Sequence, residues 1–159
     1  MQDSATWANL TTGAWCYYEN QTANGTTYGK LYNWYAMNDP RGIAPEGWHI
    51  PTEREWMNMV DSLGSNFNVG GKLKTTTLWN SPNVGATNSI GFNALPGGLR
   101  NANGKFDFKG FSARWWTSTL LTQPTFGSLI FLTNDSEEVY GPSENEKRTG
   151  CSLRLIWNY

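Results

Sequence analysis

An amphipathic helix between residues 52 and 64 is the clearest hydrophobic pattern in the chain. Thr52 and Glu55 have the spacing of a capping box, in which a hydroxyl and a carboxylate each accept a hydrogen bond from a free backbone amide. Gly64 indicates the end of the helix, because glycine adopts positive φ values without strain. We therefore expect one buried helix with the rest of the chain packed around it. Its apolar face follows the i, i+3, i+4, i+7 spacing and comprises Trp56, Met59, Val60 and Leu63.

Shorter elements are predicted on the N-terminal side of this helix. Ala14–Tyr18 is an aromatic run typical of a strand, and the polar stretch Glu19–Thr27 contains an Asn-Gly pair that indicates a loop. Apolar residues recur at helical spacing through Tyr28–Asn38, which predicts a first helix. Trp48–Ile50 predicts a short strand that leads into the central helix.

The second half of the chain predicts antiparallel strands, with one helical turn near Leu73 in a region rich in glycine and threonine. Asn103-Gly104 lies between two strand patterns and is a strong signal for a hairpin turn. No repeat or linker divides the sequence, so we expect one α+β domain over residues 1–159. The predicted strands are Ile90–Leu95, Leu99–Ala102, Lys105–Phe108, Ala113–Ser118, Ser128–Leu132, Glu137–Tyr140 and Cys151–Trp157.

The composition narrows the class of protein. Nine Trp, seven Tyr and seven Phe among 159 residues predict a core built largely from aromatic rings. A net charge of −1 argues against a basic nucleic-acid-binding surface, and no apolar run approaches membrane length. We therefore expect neither a nucleic-acid partner nor membrane insertion. Abundant Trp, Asn, Gly and Thr with little lysine suit an exported bacterial protein, found outside the cell or on its surface.

The sequence offers little for catalysis or metal binding. The single histidine, His49, lies in the strand before the central helix, and we interpret it as a hydrogen-bonded structural residue rather than a general base. A Ser-His-Asp site stays open as an alternative, although the GxSxG nucleophile motif is absent. Two distant cysteines and one histidine do not supply a zinc site, which needs clustered ligands. We therefore expect no enzymatic activity, no metal and no cofactor.

The two cysteines, Cys16 and Cys151, allow two interpretations. They can form a disulfide that closes a long loop, which stabilises a fold by roughly 4–5 kcal/mol in the chain-entropy model. They can equally be two buried free thiols, which behave as small apolar side chains. The spacing alone does not decide between a disulfide and free thiols.

Several stretches resemble a known family. The sequences YGKLYNWYAMNDPRGIAPEGWHIPTEREW, GFNALPGGLRNANGKF and WWTST, with a closing Ser-x-Arg strand, resemble the Fibrobacter succinogenes major paralogous domain from about Trp7 to Ile156. The resemblance implies a C-type-lectin-like α+β fold, with two helices packed on twisted antiparallel sheets and long loops. It implies cell-surface or secreted proteins of Bacteroidetes-like bacteria, with no established activity.

The sequence departs from that family pattern in places. Relatives usually begin with another short Trp-containing strand, which we expect this chain to lack. They often end in Arg-Cys-Val, where this chain has Arg154-Leu155-Ile156, so Cys151 is the residue that would pair with Cys16. Distantly similar sulfatase-modifying domains work through two close cysteines, a spacing that is absent here. Gln123-Pro124-Thr125 and Trp157-Asn158-Tyr159 do not match the motifs of calcium-dependent sugar binding.

The segment Leu120–Thr149 is where we predict ligand recognition. If Leu129 and Phe131 face the core, then Ile130 and Leu132 lie on the exposed face and form an apolar patch with a polar rim. The alternative is a sheet buried on both sides by loops. The predicted ligand-binding residues are Leu120, Thr122, Gln123, Phe126, Ser128, Ile130, Leu132, Asn134, Asp135, Glu138, Tyr140, Glu144 and Arg148.

The functional hypothesis is an extracellular module that binds or displays a protein or glycan ligand through this surface. Relatives of the fold serve as variable proteins of diversity-generating retroelements, in which the region before the last strand is rewritten. Leu120–Thr149 has the position of such a region. The alternatives are a structural cell-surface adhesin domain and a sulfatase-modifying-like enzyme.

Overall fold

The computed structural model describes residues 3–158, and over these residues the chain is an α+β protein of short elements joined by long loops. A 3-10 helix at Tyr18–Asn20 precedes the second α-helix. The α-helices are α1 Ser4–Ala8, α2 Thr22–Tyr28, α3 Trp34–Met37, α4 Glu53–Leu63 and α5 Gly70–Leu73. The strands are β1 Trp15–Cys16, β2 Leu31–Tyr32, β3 Trp48–His49, β4 Gly97–Arg100, β5 Phe106–Lys109, β6 Ser112–Trp116, β7 Phe126–Thr133, β8 Tyr140–Glu146 and β9 Ile156–Trp157.

These strands pair antiparallel in small sheets. The two-stranded sheets are β1–β2, β3–β9 and β4–β5, and the three-stranded sheet has the order β6–β7–β8. In the three-stranded sheet, Phe131 of β7 lies between Arg114 of β6 and Tyr140 of β8. The β3–β9 pair sets Trp48 opposite Trp157 and so joins the entry to α4 with the late part of the chain.

The predicted capping box of α4 is confirmed. The Thr52 hydroxyl accepts a hydrogen bond from the Glu55 amide at 3.3 Å, and the Glu55 carboxylate accepts one from the Thr52 amide at 2.8 Å. The helix ends at Leu63, and Gly64 follows with a φ of +144°. Trp56 and Val60 are buried, as the apolar stripe predicts.

Three clusters of buried side chains form the core of the described residues. The largest lies between α4, α5 and the β6–β7–β8 sheet and contains Trp56, Trp115, Ile130 and Leu132. The second surrounds Trp7 near the N-terminal side of the chain. The third packs on the opposite face of β7 and comprises Trp34, Leu99, Trp116, Leu129 and Cys151.

A buried lysine supports the connection between β7 and β8. Lys74 is fully buried, and its ammonium donates hydrogen bonds to the carbonyl oxygens of Thr133 at 3.0 Å and Ser136 at 2.7 Å. Burial lowers the pKa of this ammonium. Since a buried charge is costly unless it is hydrogen-bonded, these two bonds fix Lys74 under the turn.

The prediction of a loop over Glu19–Thr27 is wrong, because much of this stretch is helical. Asn24 lies inside α2, where its side-chain amide donates to the carbonyl of Tyr18 at 3.0 Å. A side chain at Gly25 would collide with the ring of Tyr17. The Asn-Gly pair therefore permits close packing here instead of making a turn.

The predicted helix over Tyr28–Asn38 is replaced by the end of α2, the strand β2 and the short helix α3. Gly29 ends α2 with a φ of +79°. The buried side chain of Asn33 accepts hydrogen bonds from the amide of Ala36 at 3.1 Å and from that of Ala14 at 2.9 Å. It thus starts α3 and binds it to the N-terminal segment, and these tertiary bonds override the helical spacing.

Other element predictions vary in outcome. The strands near Trp15, Trp48 and Ala113, the helical turn at Leu73 and the hairpin at Asn103-Gly104 are confirmed. The predicted strand Glu137–Tyr140 is wrong, since the strand that follows β7 begins only at Tyr140 and runs to Glu146. Ile90–Leu95 is not a strand, since only Ala94 makes a bridge, with Lys74. The predicted last strand is reduced to β9, while Cys151 and Ser152 make single bridges to Tyr32 and Trp115. The described residues contain five α-helices, not the two expected.

The two cysteines are free thiols. Both are buried, and they belong to different core clusters. Cys16 pairs with Leu31 across β1–β2, whereas Cys151 bridges to Tyr32. Burial raises the pKa of both thiols, and that of Cys151 reaches about 12. Of the two interpretations of the sequence, the structure has the buried thiols, protonated and inert.

Replacing Thr52 with Ala should lower the free energy of unfolding by about 1 kcal/mol, because the helix start loses its capping hydroxyl. Urea denaturation followed by circular dichroism measures the change. Thr26→Ala is a matched control, since the exposed Thr26 hydroxyl bonds only within its own helix, and it should change stability by less than about 0.5 kcal/mol. Equal decreases in the free energy of unfolding for Thr52→Ala and Thr26→Ala would contradict the capping role of Thr52.

Replacing Trp56 with Ala should cost about 3–5 kcal/mol, because it leaves a cavity in the largest cluster. The indole N–H of Trp56 is buried without a hydrogen-bond partner among the described residues, so the loss measures packing alone. Phe67→Ala is the control, since Phe67 is 71% exposed and should cost less than about 0.5 kcal/mol. A Trp56→Ala loss below about 1 kcal/mol would show that this helix is not central to the core.

Candidate functional site

The predicted apolar patch on β7 does not exist. Ile130 and Leu132 are fully buried, because α4 and α5 cover the face of the sheet on which they lie. Ser128 is also buried and hydrogen-bonds to the carboxylate of Glu53 in α4. The exposure expected for these side chains is therefore wrong. The strand is buried on both sides, as in the alternative, but the helices α4 and α5 rather than loops cover this face.

Asn134 and Arg148 contact other parts of the protein. Asn134 is buried, and its amide donates to the carbonyl oxygens of Asn80 at 3.3 Å and Ser81 at 3.0 Å. Arg148 donates to the carbonyl of Ala8 at 2.6 Å and forms an ion pair with Glu146 at 2.5 Å. These contacts give both residues a structural role, which the sequence prediction did not anticipate.

The other predicted residues remain at or near the surface but do not form one patch. Leu120, Thr122, Gln123, Asp135 and Glu144 are exposed, while Phe126, Glu138 and Tyr140 are partly buried. Phe126 pairs with Glu146 at one end of β7, whereas Asp135 follows its other end. The length of β7, roughly 20 Å, separates these two groups.

An arginine–aromatic ladder crosses the outer face of the same sheet. Register places Arg114, Phe131 and Tyr140 side by side on neighbouring strands. The rings of Phe131 and Tyr140 stack with centroids 5.0 Å apart and an interplanar angle of 15°. The Arg114 guanidinium lies 4.7 Å from the Phe131 ring and 5.0 Å from the Phe108 ring. We call Phe108, Arg114, Phe131 and Tyr140 the ladder.

Arg114 presents hydrogen-bond donors at the centre of the ladder. Its Nε donates to the Ser112 hydroxyl at 3.0 Å, while its two terminal amino groups have no hydrogen-bond partner among residues 3–158. Burial lowers the pKa of Arg114, which still stays charged because a guanidinium titrates far above neutral pH. Because the planar guanidinium is already held between two rings, it can donate two parallel hydrogen bonds to one carboxylate with little further loss of rotamer freedom.

A groove of about 390 Å³ adjoins the ladder. Two phenylalanine rings remain at its surface, with Phe108 exposed by 42% and Phe111 by 50%. Phe108 has a φ of +62°, a backbone conformation that costs a bulky residue about 1–3 kcal/mol. Strain of this kind persists where it positions a side chain for another purpose. Polar groups in the groove include Ser112, Thr133, Asp107 and Asp135.

The sequence prediction missed Phe108, Phe111 and Arg114. Arg114 lies between Ala113 and Trp115 in a strand, so its alternation already placed it on the opposite face from two core residues. That signal was available from the sequence. The position of Phe108 was not, because it depends on a positive φ that the sequence does not reveal.

His49 is held by hydrogen bonds at both ring nitrogens. Nε2 lies 2.8 Å from a carboxylate oxygen of Glu55, and Nδ1 lies 2.5 Å from the side-chain oxygen of Asn158. The hydrogen bond with Glu55 is the main cause that raises the pKa of His49. The amide of Thr52 is the main cause that lowers the pKa of Glu55. His49 thus links β3, the start of α4 and the residue after β9; Tyr159 lies outside the described residues.

Residues 3–158 contain neither a membrane-spanning helix nor a cluster of metal ligands. Between residues 3 and 158, no helix is long and apolar enough to cross a membrane. Within the same range, His, Cys, Asp and Glu side chains do not gather in a group of three or more that could hold a metal ion.

Comparison with known proteins identifies one family. The family model described as Fibrobacter succinogenes major domain matches residues 1–156, nearly the whole chain. No curated protein matches the sequence, and no solved structure matches it.

The contacts of His49 predict a pH dependence of stability. Because the folded state raises the pKa of His49, the stabilisation is complete below about pH 6 and is lost as the pH rises through the folded-state pKa. The free energy of unfolding should therefore fall between about pH 6 and pH 9 more steeply in the wild type than in His49→Gln. Urea titrations at a series of pH values measure both slopes.

If the free energy of unfolding depends on pH with the same slope in the wild type and in His49→Gln, the proposed link between His49 and stability is contradicted. At the acid end the two proteins should behave more alike, because the lowered pKa of Glu55 comes mainly from Thr52. That contribution is present above about pH 4.5 and is lost as the pH falls through the folded-state pKa of Glu55.

Proposed function

This chain belongs to the Fibrobacter succinogenes major domain family, and we propose that it is an exported, non-enzymatic module that binds a ligand at the bacterial cell surface or outside the cell. The observation that carries the proposal is the ladder. Its central arginine is desolvated between two rings, yet its terminal amino groups bind nothing among the described residues. A charged side chain that is held in place and still has unused hydrogen-bond donors is well suited to bind a group of another molecule.

The ladder replaces the predicted Ile130–Leu132 patch as the binding surface. It keeps Tyr140 and the neighbouring Asp135 from the predicted set and adds residues from β5 and β6. Leu120, Thr122, Gln123 and Glu144 stay in the proposal as a separate exposed rim at the other end of β7.

A protein ligand is favoured over a glycan at the ladder. Arg, Tyr and Phe are the residue types enriched in protein–protein interfaces, and they dominate this surface. Asp107 and Asp135 in the adjoining groove would meet basic groups of the partner, while Arg114 would meet a carboxylate. Such mixed charges favour specific orientation of a protein partner.

The proposal also includes a C-type-lectin-like fold and the diversification of one segment by a retroelement. Short helices, small antiparallel sheets and long loops agree with a C-type-lectin-like fold. If Leu120–Thr149 is diversified by a retroelement, the rewritten codons should avoid Ser128, Ile130 and Leu132, whose replacement would disrupt the core. A template repeat near the locus that differs mainly at adenines would support this part of the proposal, and the absence of a reverse transcriptase there would remove it.

The enzyme alternatives receive little support from the side chains. Cys16 and Cys151 belong to separate clusters and have raised pKa values, which is the opposite of a reactive pair. Both nitrogens of His49 are engaged with Glu55 and Asn158. A structural adhesin domain is the remaining alternative, and it predicts no discrete ligand.

Protein and glycan arrays probed with the labelled chain test the proposal. At least one protein should bind, and Arg114→Gln should weaken that binding by about 30-fold, as expected for a hot-spot residue worth ~2 kcal/mol. Tyr140→Ala should weaken the same interaction. Arg41→Gln is the matched control, because Arg41 is exposed and its ion pair is with Asp39.

Melting curves of each variant establish that it is folded before binding is compared. Binding that survives Arg114→Gln in a folded protein would remove the ladder from the proposal. The absence of any protein or glycan ligand would favour the adhesin alternative.

A further inference from the structure

A second groove, of about 610 Å³, lies between α2, β2 and the segment that precedes β9. We call it the tyrosine groove and define it by Tyr17, Tyr28, Lys30, Tyr32, Ser152 and Arg154. Its lining shares no residue with that of the groove beside the ladder.

The hydroxyl groups of the tyrosine groove are open to a ligand. Those of Tyr17, Tyr28, Tyr32 and Ser152 make no hydrogen bond within residues 3–158, and none of them is among the fully buried unsatisfied atoms. Burial raises the pKa of Tyr32, so this phenol stays protonated and able to donate. Four residues that each carry a hydroxyl able to donate and to accept thus line one cavity.

The charge of the tyrosine groove is positive. Lys30 and Arg154 line it, and no aspartate or glutamate does. Lys30 has no ion-pair partner in the described part of the chain, and its ammonium lies 4.0 Å from the centroid of the Trp15 ring. Arg154 donates to the carbonyl oxygens of Phe92 at 3.1 Å and Asn93 at 3.0 Å and contacts no carboxylate. This local excess of positive charge contrasts with the net charge of −1 for the whole chain.

From these features we propose that the tyrosine groove binds an acidic oligosaccharide, namely a chain of uronic-acid units. The C–H faces of sugar rings pack on aromatic rings, and sugar hydroxyls exchange hydrogen bonds with the phenol and serine hydroxyls. The uronate carboxylate pairs with Lys30 and Arg154. A neutral sugar would provide no anion for Lys30 and Arg154. A small inorganic anion would make no contact with the aromatic rings of the tyrosine groove.

The free hydroxyls favour a saccharide over an acidic peptide. A peptide backbone offers one donor and one acceptor per residue at fixed spacing, whereas each sugar ring carries several groups that do both. This site does not depend on the ladder, so the two proposals can fail independently.

Isothermal titration with hexamers of galacturonate, mannuronate, guluronate and glucuronate tests the proposal. A neutral galactose hexamer and hexaglutamate serve as comparison ligands. At least one uronate should bind, with an affinity that falls as salt rises. Lys30→Gln should weaken it about tenfold, and the double variant Tyr28→Phe, Tyr32→Phe should weaken it about as much while both rings remain.

Two variants control for indirect effects. Tyr35→Phe removes a phenol hydroxyl outside the tyrosine groove, and Arg114→Gln alters only the ladder. Both should leave uronate binding unchanged. The proposal is overturned if no uronate binds at about 1 mM, if galactose or glutamate hexamers bind equally well, or if the tyrosine groove variants, shown by melting curves to be folded, bind like the wild type.

Discussion

Burial of strand β7 on both of its faces is the constraint from which the rest of the architecture follows. Ile130 and Leu132 pack beneath α4 and α5, while Leu129 packs against Trp34 and Trp116 on the other side. Phe131 is partly exposed between Arg114 and Tyr140, and Phe126 and Thr133 are partly exposed at the two ends of the strand. The exposed surface in this part of the protein therefore lies at strand ends, edges and loops, and it includes the ladder, where we propose ligand binding.

The features that the sequence predicted well are those fixed by neighbouring residues. The capping box of α4 depends on Thr52 and Glu55, three residues apart, and the hairpin at Asn103-Gly104 depends on one turn. The failures depend on distant partners. Asn33 overrides a helical spacing by bonding to Ala14, and the burial of Ile130 depends on where α4 docks. The alternation of side chains along β7 showed that the strand has two faces, but it did not show that other parts of the protein would cover both of them.

Cations in this protein rest on aromatic rings and carbonyl oxygens more than on carboxylates. Arg100 lies fully buried against the rings of Trp7 and Phe106, and Lys74 is held by two carbonyl oxygens. The ring and carbonyl contacts stabilise these charges in the interior. Where the same arrangement reaches the surface, at Arg114 and Lys30, the rings fix the cation while its donors stay available. The same contact between a cation and an aromatic ring thus occurs both in the core and at the two surfaces where we propose ligand binding.

The docking of α1 carries a consequence for the order in which the molecule assembles. The indole N–H of Trp7 donates to the carbonyl of Arg148 at 2.8 Å, and Arg148 donates back to the carbonyl of Ala8. These partners are about 140 residues apart in the sequence. During synthesis Trp7 can pack early against Ala14, Cys16 and Leu31 of its own cluster, but its hydrogen bond to Arg148 cannot form until nearly all of the chain has left the ribosome, so the docking of α1 is completed only at the end of synthesis.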